Sequence, residues 1–125
     1  MDIDKQIAYW RDSSDEDWRV AYELVELGRT RHGLFFAHLA LEKMLKAHVC
    51  RATRTLAPNI HNLVRLAELA SLSLTKQQRA SFGRLNQYQL EGRYPSSSPI
   101  AISQQKALSE IEIVEELLEW LKTQF

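Results

Sequence analysis

From Leu34 to Cys50 the chain carries a run whose apolar residues, wound at helical pitch, cover most of the circumference of a helix. A helix of that kind is stable only in the middle of other elements, so the chain must build a helical assembly around it. Its one sizeable polar path is His38, Glu42 and Lys46, stacked at i, i+4 and i+8, with Lys43 at the edge of the strip. On pattern alone the ordinary reading is a solvated edge with a Glu42–Lys46 pair, and the sharper one is a charged strip facing a cleft or a partner.

The rest of the chain supplies the neighbours. Leu, Ala, Glu and Gln recur at three- and four-residue spacing, Gly and Pro are scarce, and no stretch alternates with period two, so the class is all-α. Ile3 to Trp10 reads as a short amphipathic turn. Ser13-Ser14-Asp15-Glu16 then has the form of a capping box opening a helix through Trp18, Ala21, Tyr22 and Val25 to Gly28, although one continuous helix through Ser13 fits the pattern too. Gly28 to Gly33 reads as a glycine-bounded loop, with the central helix running from Leu34 to about Arg51. Pro58-Asn59 stops the chain before a short helix over 61–70 that turns Leu63, Leu66 and Leu69 inward. Thr75 to Gln78 is a second capping box, leading a helix through Phe82, Leu85 and Tyr88 to about Leu90, with Gly92 as its cap. The segment 93–99 holds two prolines and three serines and is irregular, and a last helix from near Ser103 repeats Ala107, Ile111, Val114, Leu118 and Leu121. Short connections make this an up-and-down antiparallel four-helix bundle with an additional short helix, a single domain over 1–125.

Composition excludes several functions. The 16 cationic and 16 acidic side chains cancel, so no whole-molecule field attracts nucleic acid, but a local basic patch could still do so and the charge sum argues neither way. One cysteine precludes an internal disulfide, no apolar run reaches membrane-spanning length, and no signal peptide is read, which points to a cytoplasmic protein with no membrane partner. The four histidines lack acidic or cysteine companions at ligand spacing, and there is neither a phosphate-binding glycine loop nor a nucleophile elbow. Neither a metal nor a cofactor is expected, and no catalytic residue is assigned.

What remains is a combination: Tyr9-Trp10, Asp15-Glu16-Asp17, the segment Gly28 to Gly33, Glu42-Lys43-Met44-Leu45-Lys46-Ala47, His61-Asn62-Leu63 and Arg93-Tyr94-Pro95. In that order these pieces resemble the HEPN family across almost the whole chain. The resemblance implies a small antiparallel helical bundle, usually a homodimer, found beside a minimal nucleotidyltransferase, at times as a two-gene toxin–antitoxin system. One branch of the family consists of metal-independent ribonuclease toxins that carry an Arg and a His separated by four to six residues. The other lacks that motif and binds nucleotides or the transferase's substrate. Here Arg84 and Arg93 have no histidine downstream, and the Arg54 to His61 spacing is interrupted by Pro58. Without a proton acceptor for the ribose hydroxyl beside a cation on the phosphate, cleavage has no mechanism.

The expected function is thus a non-catalytic bundle that binds a nucleotide or other small ligand and pairs with a nucleotidyltransferase. The alternatives are a ribonuclease toxin, with RNA as the less favoured ligand, and a dimerisation bundle with no ligand. Lys43, Lys46, His61, Tyr88, Arg93 and Tyr94 are the candidate ligand residues. The expectation is that antiparallel packing of the third long helix on the second brings Lys43, Lys46 and Arg93 together on phosphate while a tyrosine stacks on a base. The same residues also have plain structural uses, as a cap at His61, core-edge aromatics at Tyr88 and Tyr94, and a helix corner at Arg93. A homodimer is expected because the central helix carries more apolar surface than its neighbours can cover.

Overall fold

The Ser13 and Ser14 hydroxyls, which the sequence offers as a helix cap, are used across helices instead, and this sets the length of the first element. The computed structural model describes residues 2–93 and 101–125, the side chains of 90–93 excepted. In it α1 runs unbroken over Ile3–Glu26, capped by Asp2, whose carboxylate accepts from the Lys5 amide at 3.2 Å. Ser14 lies inside this helix, fully buried, and donates to the Ala40 carbonyl at 2.6 Å, while the Ser13 hydroxyl accepts from Lys43 at 2.8 Å. The continuous-helix alternative therefore holds. α1 ends at Leu27, and Gly28 takes the left-handed conformation expected of it, at φ 83°.

α2 spans Thr30–Thr53, four residues earlier than the glycine-bounded loop allowed. Gly33 is not loop punctuation. It sits within α2 where a Cβ would stand 2.4 Å from Val25 Cγ2 and 3.1 Å from the Ala21 carbonyl, so its missing side chain lets α1 cross closely. At its other end α2 stops at Arg54, held left-handed at φ 55° with its amide on the Cys50 carbonyl. α3 is Leu63–Leu69, capped by Asn62, which accepts from the amides of Val64 and Arg65; His61 lies before the cap. Thr75 and Gln78 do form a reciprocal capping box, and α4 covers Lys76–Arg93, running through Gly92 rather than stopping there. α5, Gln104–Thr123, is capped by Ser103. Of the irregular segment expected over 93–99, Arg93 is instead the last residue of α4, and 94–99 fall outside the described residues.

The helices make the expected antiparallel bundle, with α3 packed between α2 and α4. Thr30 bonds the Ile102 carbonyl at one end and His48 bonds the Leu121 carbonyl at the other, so α5 runs parallel to α2. α4 runs against α5: Arg84 and Tyr88 meet Glu110, whereas Gln78 and Ser81 share a hollow with Ile113 and Leu117. α2 is the centre, as its composition demands, with fourteen of its 24 residues buried. Leu41, Met44 and Leu45 meet a core completed by Val25, Leu63, Leu66, Phe82, Leu85 and Leu121. Because one chain covers α2, surplus apolar surface on that helix is no argument for a second copy. Among the described residues the large apolar side chains left exposed are Tyr9, Val20, Tyr22 and Leu27 on and just after α1, and Leu56 in the loop after α2.

Candidate functional site

The polar strip of α2 is not a solvated edge. His38, Glu42 and Lys46 are 2 %, 3 % and 6 % exposed, because the segment before α3 and the middle of α4 close over them. Glu42 is the hub. Lys46 Nζ donates to Glu42 Oε2 at 3.0 Å, and His61 Nδ1 lies 3.1 Å from both carboxylate oxygens. A carboxylate only accepts, so His61 carries its proton on Nδ1 and leaves Nε2 as a lone-pair acceptor when neutral. On the other side His38 Nδ1 stands 3.8 Å from Glu42 Oε1.

Asn86 on α4 ties this cluster to its neighbours. Its side-chain oxygen accepts from His38 Nε2 at 3.2 Å and from the Leu63 amide at 3.0 Å, and its nitrogen donates to Asn62 at 3.2 Å. Burial pushes the His38 imidazole below its ordinary value, against smaller upward contributions from Asn86 and Glu42, so His38 stays neutral. Lys46 also lies over the Trp10 ring, 5.3 Å from its centroid, which gives a cation with little access to water an aromatic face as well as a carboxylate. Of the hub's members His61 opens most to solvent, with 36 % of its side chain exposed.

The other candidates lie elsewhere. Lys43 points to α1, 2.7 Å from Asp17 and bonded to Ser13. Tyr88 is 4 % exposed, and its hydroxyl donates to Glu110 at 2.6 Å on a carboxylate that Arg84 also binds. Arg93 ends α4, and Tyr94 is outside the described residues. Antiparallel packing separates the cations instead of gathering them. Starting from the His38–Asn86 contact, Lys46 lies eight residues along α2 and Arg93 seven along α4 in the opposite sense, about 22 Å apart along the axis at 1.5 Å per residue. Sequence reasoning missed Asn62, Asn86 and Glu110. Glu110 did leave a signal, since it falls on the buried stripe of Ala107, Val114 and Leu121 and so must be paired inside the bundle. No group of His, Cys, Asp and Glu suited to a metal ion occurs among the described residues, nor is any of their helices long and apolar enough to cross a membrane.

Comparison with known proteins adds the following. The family model for the HEPN domain matches residues 7–124. Among solved structures the chain is similar to TT1696 from Thermus thermophilus, with a TM-score of 0.80 at 19% identity, over 96% of this chain and 98% of that one. At that identity the likeness is one of fold. No curated protein matches the chain.

Proposed function

The chain belongs to the HEPN domain family, and we propose that it is a non-catalytic member that binds a nucleotide or a nucleotidyltransferase's substrate and works beside that enzyme. The observation that carries the ligand part is the Glu42 hub, which holds His61 by Nδ1 on a side chain that is still 36 % exposed, so that its other ring nitrogen is not engaged by Glu42. The nitrogen left over accepts from a base-edge N–H when the ring is neutral and donates to a phosphate only when the ring is protonated. Pairing with a nucleotidyltransferase is supported by the family resemblance.

The non-catalytic reading rests on the cations. Phosphodiester cleavage needs a proton acceptor and a free positive charge at one place. Near His61, Lys46 is held by Glu42 and Arg65 by Glu68. The rival reading, a ribonuclease, takes its support from the same His61–Glu42 pair, which has the arrangement of a general base. Both are tested together by calorimetry with nucleoside mono- and triphosphates and by an RNA degradation assay, on wild type and His61→Ala. Nucleotide binding weakened about tenfold by the substitution, the scale of one charged hydrogen bond, with RNA left intact, is the expected result. RNA cleavage abolished in His61→Ala establishes the nuclease instead, and no binding of any nucleotide leaves only a helical scaffold.

A further inference from the structure

On α1 and α5, apart from the His61 hub, lies a hollow of about 420 Å³ lined by Trp18, Arg19, Tyr22, Glu23, Glu115 and Glu119. Its floor is aromatic: Trp18 and Tyr22 are one turn apart on α1, with centroids separated by 6.4 Å and planes inclined at 55°. Trp18 is anchored against the core, and Tyr22 is 46 % exposed. Its charge is one-sided, three carboxylates against one guanidinium. Glu115 and Glu119 also line a second hollow of about 410 Å³ with Glu112 and Glu116. The four glutamates fall at i, i+3, i+4 and i+7, a stripe about 10 Å long on one face of α5.

Two chemistries therefore coincide. Inclined aromatic rings attract a cation through their quadrupoles, and flanking carboxylates strengthen that preference. Glu26, by charge and by hydrogen bond, raises the Tyr22 phenol above its ordinary value, with Glu115 adding least. The glutamate stripe repels itself in the free protein, since like charges three and four residues apart destabilise a helix. A partner that brings positive charge relieves this.

We propose that the Trp18–Tyr22 hollow and the glutamate stripe together form a docking surface for a basic segment of a partner protein, with an arginine of the partner seated on the two rings. Arginine suits the floor because its planar guanidinium stacks on aromatic faces while its N–H groups reach carboxylates. A stripe two helical turns long calls for several cations on one chain rather than a single small amine. The site is separate from the His61 hub and does not depend on the reading given to it.

The test is titration of the protein with a helical alanine–arginine peptide whose arginines repeat at three- and four-residue spacing, followed by calorimetry and by the Trp18 indole N–H resonance. Binding that shifts Trp18 is expected. Tyr22→Ala and the double variant Glu115→Gln/Glu119→Gln should each lower affinity at least about fivefold, the scale of one cation–π contact, while Tyr22→Phe retains most of it. Asp4→Asn/Asp12→Asn, the same charge change in the N-terminal half of α1, should leave affinity within about twofold. Tyr22 is half-exposed, and removing the glutamates relieves repulsion, so none of these changes threatens the fold. No peptide binding, an equal loss in the distant Asp variant, or spermine binding as tightly as the peptide each overturns the proposal.

Discussion

Gly33 shows how a residue can be conspicuous in sequence for one reason and be required in the fold for another. Paired with Gly28 it looks like the far boundary of a loop, yet its backbone is helical and what matters is the absence of a Cβ against Val25 and Ala21. Gly33→Ala raises helix propensity but drives a methyl into a side chain 2.4 Å away. Overpacking outweighs propensity, with an expected net loss of about 1–3 kcal/mol. A denaturant midpoint equal to or above that of the wild type would show that the α1–α2 crossing yields more easily than its geometry indicates. The Glu42 hub carries a similar lesson. Glu42, His38 and Lys46 were legible as a strip, but not which way it faced, because the segment that covers it enters from residues 61 and 86, far away in the chain.

Among the elements, α2 was the most legible, since its composition leaves no face for water, and α5 followed from its apolar repeat and Ser103. The starts of α1 and α2 were not, because Ser13, Ser14 and Gly33 serve contacts between helices that local rules cannot anticipate. Within the core the two candidate phenylalanines differ. Phe36 on α2 is only half-buried and packs at the core's edge against Phe35, whereas Phe82 on α4 is fully buried. The full core penalty therefore belongs to Phe82 and not to Phe36. Phe82→Ala should cost about 3–5 kcal/mol and Phe36→Ala less than half as much. Chemical denaturation of the two variants distinguishes them, and equal losses would mean that the register of α2 in the core is wrong.

For the molecule as a whole, pH is the informative variable. Burial pushes the imidazoles of both His38 and His48 below their ordinary value of 6.5. His48 is closed in by the Leu121 carbonyl, the stacked ring of Phe125 and the guanidiniums of Arg11 and Arg51. Below pH 6.5 the unfolded chain therefore binds protons that the folded chain refuses. Stability is level above that pH and falls as pH drops through it, by at most about 1.4 kcal/mol per pH unit for each imidazole. Urea midpoints between pH 7.5 and 5.5 should show this decline, and a His48→Gln variant should flatten part of it. A stability that rises toward pH 5.5 would contradict buried neutral histidines. Two-fold association is expected from the family resemblance, and sedimentation at micromolar concentration decides it.

The seam between α4 and α5 also has a temporal side. α1 and α2 pack along most of their length, whereas α4 approaches α5 through the polar bridge of Arg84, Tyr88 and Glu110 beside an open hollow, with little close backbone approach among the described residues. Free energy of opening is lowest where apolar contact is thinnest. The amides of α4 should exchange with solvent deuterium earlier than those of the α1–α2 hairpin, by excursions that lift α4 while the hairpin stays closed. Such excursions would also unlatch Asn86 from His38, Asn62 and the Leu63 amide, so the clasp that holds His38 and the start of α3 would open and close with the breathing of a helix that does not itself carry the hub's charges.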